Sequence, residues 1–304
     1  MRIRYIYRKS NPKREEKIDM TEFAKVGTQQ MGLLVLGALL MIIVPLIVAI
    51  VWTKKKNERF TTVLVGAATF LLFAIILEKP LQNVLIFPTQ MGLADTAISQ
   101  FINARPVLWA FIVGLFPGVF EETGRLVAFK TVLKKRKNRE TSISHGIGHG
   151  CFEVMFIVGI MYVTYVAYAV MINAGTFGTV VEQVTAQAPE QAVAATALAD
   201  QIAAFSFADL AVGIVERVFA VLFHIGASII VFYASKDKGR FWLYPLAILL
   251  HTALDFIAGG LTTAGVWNPP TWVLEGIVGI MGAVTFCGAF FLLYKKDVGK
   301  EAIS

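Results

Sequence analysis

The sequence predicts an all-α polytopic membrane protein with about seven transmembrane helices. Three observations lead there. Of 304 residues, 56% are hydrophobic and only 16% charged, against roughly a quarter charged in soluble domains. Mean hydropathy is +0.66, more apolar surface than a soluble core could enclose. The charges are also segregated, with long stretches free of Lys and Arg alternating with short ones that hold several.

Seven apolar runs are long enough to span a bilayer, which takes roughly 20 residues. They cover Gln30 to Trp52, Phe60 to Leu77, Val107 to Leu133 (interrupted at Pro117 and Gly118), Ser142 to Asn173, Phe207 to Ala234, Phe241 to Leu261, and Trp272 to Tyr294. The chain then divides into a basic tail (1–29), two transmembrane helices (30–78), an outer or re-entrant connection (79–105), a four-helix core (106–262) and a last helix with its tail (263–304). The connection carries Pro80 and Pro88. Within the core, an outer loop (174–206) without Lys or Arg reads as a helical hairpin or flap around Pro189. There is no internal repeat.

Loop charges orient the bundle. Lys54, Lys55, Lys56 and Arg59 follow the first run, Lys134 to Lys137 and Arg139 the third, Lys236, Lys238 and Arg240 the fifth, and Lys295, Lys296 and Lys300 the seventh. The positive-inside rule puts these loops in the cytoplasm, with the N-terminus outside and the C-terminus inside a multi-pass cell-membrane protein. Residues 1–25 oppose this with eight Lys or Arg. A start at Met20 would remove the conflict. The net charge of +7 lies in loops flanking apolar runs, the distribution of membrane topology, so the partner expected is the lipid bilayer and no nucleic acid. Cys151 and Cys287 sit singly in apolar runs and read as small core hydrophobes.

An ionisable group at mid-membrane costs at least about 2.5–3.5 kcal/mol on insertion scales and needs a reason. The third run carries Glu121, Glu122 and Arg125, and the fourth His145, His149 and Glu153. The fifth carries Glu216, Arg217 and His224, and the sixth His251 and Asp255. Arg125 is one turn from both glutamates and can neutralise one. His145, His149 and Glu153 share a face, and Gly146, Gly148 and Gly150 leave a smooth surface for a neighbouring helix. At 1.5 Å per residue, most of these groups fall roughly 12–20 Å from the cytoplasmic ends, in one layer. Glu216 and Arg217 lie higher and, being adjacent, are expected to need separate partners. Glu275 and Lys130 read as interfacial, and Asp209 as the N-cap of the fifth helix.

A desolvated glutamate beside a histidine suits water activation, and a histidine held in one tautomer by an acid suits stabilisation of an oxyanion. Alternatively, His149, Glu153, His224 and His251 supply ligands for zinc, although there is no HExxH. A proton relay in a transporter would use the same residue types.

The order EExxR (Glu121 to Arg125), HGxxE (His149 to Glu153), a His-bearing helix (His224) and HxxxD (His251 to Asp255) resembles the YhfC family of intramembrane proteases. That family is related to the CAAX prenyl protease and bacteriocin-processing family and to the PrsW proteases. The resemblance covers runs three to six. It implies an intramembrane endopeptidase in which a glutamate and His149 activate water and His251 with Asp255 supports the oxyanion. Glu121, Glu122, Arg125, His149, Glu153, His224, His251 and Asp255 are the expected site residues. No cofactor is expected on this reading, zinc being the alternative, and the substrate would be a membrane protein or lipidated peptide. Of the paired glutamates, Glu121 is expected to be the base, with Glu122 paired to Arg125. The chain departs from the prenyl-protease pattern in a shorter Glu-to-Arg gap, in His145 where Phe is usual, and in Asp255 where Asn is common. One relative is a non-catalytic scaffold of gamma-secretase, so a scaffold is the remaining alternative.

Overall fold

The computed structural model describes residues 23–187 and 191–297. Residues 1–22 of the basic tail, Met20 among them, and Pro189 and Lys300 lie outside the described residues. Among those described there is no strand. Seven helices are long and apolar enough to cross a membrane: α1 (Thr28–Lys56), α2 (Phe60–Ile86), α4 (Pro106–Lys130), α5 (Glu140–Ala174), α8 (Phe207–Lys236), α9 (Lys238–Thr263) and α10 (Thr271–Asp297). Shorter helices fill the connections: α3 (Ala97–Asn103), α6 (Gly178–Gln187) and α7 (Ala192–Ala203).

The described residues form two compact units. One takes the chain up to Ile43 together with Met155–Ile214, and the other takes Val44–Val154 with the chain from Val215 onward. In the first unit, the amide of Val26 donates to Asn173 Oδ1 at 2.8 Å, and Asn173 Nδ2 donates back to the Val26 carbonyl at 2.9 Å. Gly175 (φ +74°) ends α5 in the left-handed region that glycine enters without strain. The N-terminus of α8 corrects one expectation. Ser206 is the residue outside the helix, and Asp209 sits three positions on, its Oδ2 accepting from the Ser206 amide at 2.9 Å. The box closes when Asp209's own amide donates to Ser206 Oγ at 3.3 Å.

The second unit holds every site residue. Its central element is the C-terminal half of α8, where Ile229 to Ala234 are buried without a break. A helix apolar and buried on all sides is an inner helix. The glycines of α5 serve two neighbours. A side chain on Gly148 would strike the Val63 backbone of α2, and one on Gly146 would strike Ile225 and His224 of α8. At Gly118, α4 comes equally close to Ile248 and Thr252 of α9. These contacts fix the register in which the polar residues meet.

Two backbone irregularities serve the site. Pro117 has no N–H, so the Val113 carbonyl four residues earlier loses its helical partner. Gln82 Nε2 of α2 donates to that carbonyl at 3.4 Å, as the absence of water in a membrane requires. Three of the four π-helical segments among the described residues also border buried or partly buried acids. Leu71–Glu78 ends on Glu78, Val154–Gly159 follows Glu153, and Phe256–Gly260 follows Asp255. Such wide turns mark functional sites in many helices. The first carries α2 past Leu77, where its apolar run stops, to Ile86. Glu78 and Lys79 enter the helix as a pair, Lys79 Nζ donating to Glu78 Oε1 at 3.0 Å.

Candidate active site

The cluster is built outward from α4. Arg125 donates from Nη1 to Glu122 Oε1 at 2.5 Å, and both side chains are fully buried. A charge taken that far from water is tolerated only when it is paired and hydrogen-bonded. The second nitrogen, Nη2, donates to His224 Nδ1 of α8 at 2.7 Å. Glu121, four residues before Arg125, stands 3.7 Å from it and instead contacts His149 Nε2 of α5 at 2.8 Å. The two adjacent glutamates therefore sit in different environments.

Donor and acceptor chemistry orders the rest. A guanidinium only donates, so His224 Nδ1 accepts and the proton of its neutral ring is on Nε2. That nitrogen faces Glu153 Oε2 of α5 at 2.6 Å. His251 Nδ1 of α9 donates to Glu122 Oε1 at 2.7 Å, while its Nε2 lies 3.4 Å from Asp255 Oδ2 and 3.9 Å from Glu121 Oε2. Polar contacts thus run without a break from Glu153 through His224, Arg125 and Glu122 to His251. Glu121 and His149 stand beside this chain.

All eight expected site residues lie in this network. His251 is oriented chiefly by Glu122 from the facing helix. The shorter Asp255, one turn along the same helix, reaches only the Nε2 side. His145 stands apart from the carboxylates, with Nδ1 3.2 Å from Ser228 Oγ and Nε2 3.3 Å from Thr69 Oγ1. The expectation for Glu216 and Arg217 is corrected: they pair with each other, since two long side chains leaving adjacent positions can curl back together. Lys130 lies 5.0 Å from the centre of the Phe241 ring.

One member escaped the sequence reading. Glu78 is completely buried, its Oε2 has no hydrogen-bond partner among the described residues, and it interacts electrostatically with His251 and Asp255. It stands at the edge of an apolar run that resumes after it with Leu81, Val84, Leu85 and Ile86. That resumption was the available signal.

The family model of the YhfC intramembrane metalloproteases matches residues 40–278. The chain belongs to the YhfC family. A relative in Bacillus subtilis (strain 168), the uncharacterized membrane protein YhfC, is 30% identical over 208 residues, covering 68% of this chain and 75% of the relative. No solved structure matches the chain. Membership places this YhfC chain among the intramembrane proteases, a class of hydrolases.

The family's description raises the question of a metal. Among the described residues, two sets bring nitrogen and oxygen donors within 4.8 Å of one another: Glu121, His224 and His251, and His149, Glu153 and His224. The four ligands expected from sequence are thus divided between two sets. His251 has the usual support of a metal-bound imidazole, a carboxylate behind Nδ1. His224, common to both, has Nδ1 accepting from Arg125, so it would have to exchange that contact before Nε2 could bind an ion. The YhfC donor set fits zinc in kind and in place, with His224 as the ligand that must change partners.

Proposed function

We propose that this chain cleaves peptide bonds within the membrane, using water activated at Glu121 and His149. The observation that supports this most is the division of labour between the paired glutamates. Glu122 is held by Arg125 at 2.5 Å and His251 at 2.7 Å, while Glu121 has one short contact, 2.8 Å to His149, and loose approaches to Arg125 at 3.7 Å and His251 at 3.9 Å. A carboxylate fixed by two donors is a poor base, and one beside a single imidazole in a dry site is a good one.

In the proposed step, Glu121 takes a proton from water as the water oxygen attacks the scissile carbonyl carbon. His251, held through Nδ1 by Glu122, acts as the imidazolium, so that Nε2–H donates to the oxyanion. The tetrahedral intermediate then collapses, the C–N bond breaks, and the proton on Glu121 passes to the leaving amine. Substrate would approach from the side of Asp255 and Glu153, whose side chains are 36% and 18% exposed while Glu122 and Arg125 are at 0%. A polypeptide embedded in the membrane, or carried there by a lipid, suits a site at this depth.

A metal-dependent form of the same hydrolysis is favoured by the convergence of Glu121, His224 and His251. These residues would hold the ion, which supplies Lewis acidity towards the carbonyl and a bound water of lowered pKa. The test is cleavage of a co-expressed library of membrane substrates, followed by mass spectrometry, with metal analysis of the purified protein. Water activation by glutamate alone is expected to give no stoichiometric zinc and no loss of cleavage on chelation. One zinc per chain, lost with activity and restored with it, would assign the site to metal. Undiminished cleavage by the Glu121→Gln, Glu122→Gln double variant would end the glutamate reading. No cleavage by the intact protein of any substrate would leave a scaffold.

A further inference from the structure

At the end of the bundle where α1 and α4 finish and α2 and α5 begin, a cavity of ≈ 620 Å³ opens between two connections. Its lining includes Arg59, Lys135, Arg136 and Lys137 against a single acid, Glu58. Both walls are structured. The turn from α1 to α2 is made by Asn57 in the left-handed region (φ +52°), which asparagine tolerates better than most residues. Opposite it, the segment after α4 is tied down by the Leu133 amide donating to the Ala128 carbonyl and the Arg136 amide donating to the Leu133 carbonyl.

The walls are stitched together by one of the cations and by the only acid in the lining. Arg136 donates to Thr62 Oγ1 at 2.5 Å and Thr61 Oγ1 at 2.9 Å. Glu58 accepts from Asn138 Nδ2 and, at 3.2 Å, from Ser144 Oγ. The acid is thereby turned into the wall. Arg59, Lys135 and Lys137 remain exposed around one concavity, and like charges held together favour an anion.

The surroundings select the kind of anion. The cavity lies at the ends of membrane-crossing helices, so its mouth is at the bilayer surface. Its lining includes Val132, which is 70% exposed, and Phe60 at the start of α2 is 41% exposed. A free phosphate would not use such an apolar lip. An acyl chain would. We propose that this cavity binds the phosphodiester headgroup of an anionic phospholipid, with the lipid's glycerol and chains against Val132 and Phe60. The site is separate from the proposed catalytic cluster and independent of its chemistry.

The full-length protein in neutral detergent is titrated with phosphatidylglycerol, phosphatidylcholine and inorganic phosphate, and followed by native mass spectrometry and thermal melting. One tightly retained phosphatidylglycerol per chain is expected, with phosphatidylcholine and phosphate far weaker. The Lys135→Gln, Lys137→Gln variant removes two exposed charges and should melt like the parent without lipid. It should weaken phosphatidylglycerol binding about tenfold or more, on the scale of basic residues near an anionic surface. The Lys54→Gln, Lys55→Gln control, on the same end of the bundle but outside the cavity, should leave binding unchanged. Equal loss in both variants, or no loss in the first, would overturn the site in favour of diffuse surface attraction. Binding of inorganic phosphate as tight as that of the lipid would overturn the headgroup assignment.

Discussion

Glu122 and Arg125, three residues apart on α4, meet at 2.5 Å with neither side chain exposed to solvent. Arg125 also donates to His224, and Glu122 also accepts from His251. The pair is therefore the joint at which α4, α8 and α9 are held together, and Glu121 is left outside it.

Breaking that joint should cost stability. Arg125→Ala leaves the Glu122 carboxylate buried without its cation, a loss of about 3–5 kcal/mol for a pair of this kind. The expected outcome is a large fall in melting temperature in detergent, or failure to accumulate in the membrane. Glu122→Gln, which keeps shape but strands the arginine, should also melt early. A parental melting curve for Arg125→Ala would show the pair to be dispensable.

Glu121→Gln should do the opposite. Its Oε2 makes one short contact, with His149, and the amide keeps the shape of the acid. Melting should stay near the parent while cleavage falls by about 10²–10⁴, the range for loss of a general base. Comparing both glutamine variants for melting and cleavage distinguishes base from buttress. The assignment is reversed if Glu122→Gln proves to be the stable, inactive one.

Glu78 and Lys79 provide a separate test of the buried network. Lys79 is half exposed and Glu78 wholly buried, so Lys79→Met should destabilise mainly by stranding the acid, by roughly 2 kcal/mol. Adding Glu78→Gln should recover much of that loss, a positive coupling in a double-mutant cycle. Additive losses would mean that the two residues do not act as a pair.

The loop charges predict one orientation of the bundle. Cysteines placed singly at Gln187 and Asn138, with Cys151 and Cys287 replaced by Ala, should label differently in intact cells. A membrane-impermeant maleimide is expected to reach position 187 and not 138. The reverse pattern would invert the bundle.

Several features were legible in the sequence because they are local. A run of about twenty apolar residues is long enough to span wherever it occurs. The cost of a buried charge likewise marks Glu121, Arg125, His149 and His251 without reference to any neighbour. Helical spacing alone put Arg125 within reach of both glutamates. Which one it takes depends on where α8 and α9 bring His224 and His251, and those positions are set by backbone contacts such as Gly146 on Ile225 and Gly118 on Ile248. Hydropathy carries no information about the rotation of one helix against another. For that reason the burial of Glu78, the Gln82 donor beneath Pro117, the pairing of Glu216 with Arg217, and the basic cavity between two distant loops emerged only from the tertiary structure. Each depends on groups from separate helices or on side-chain torsions, and packing decides both.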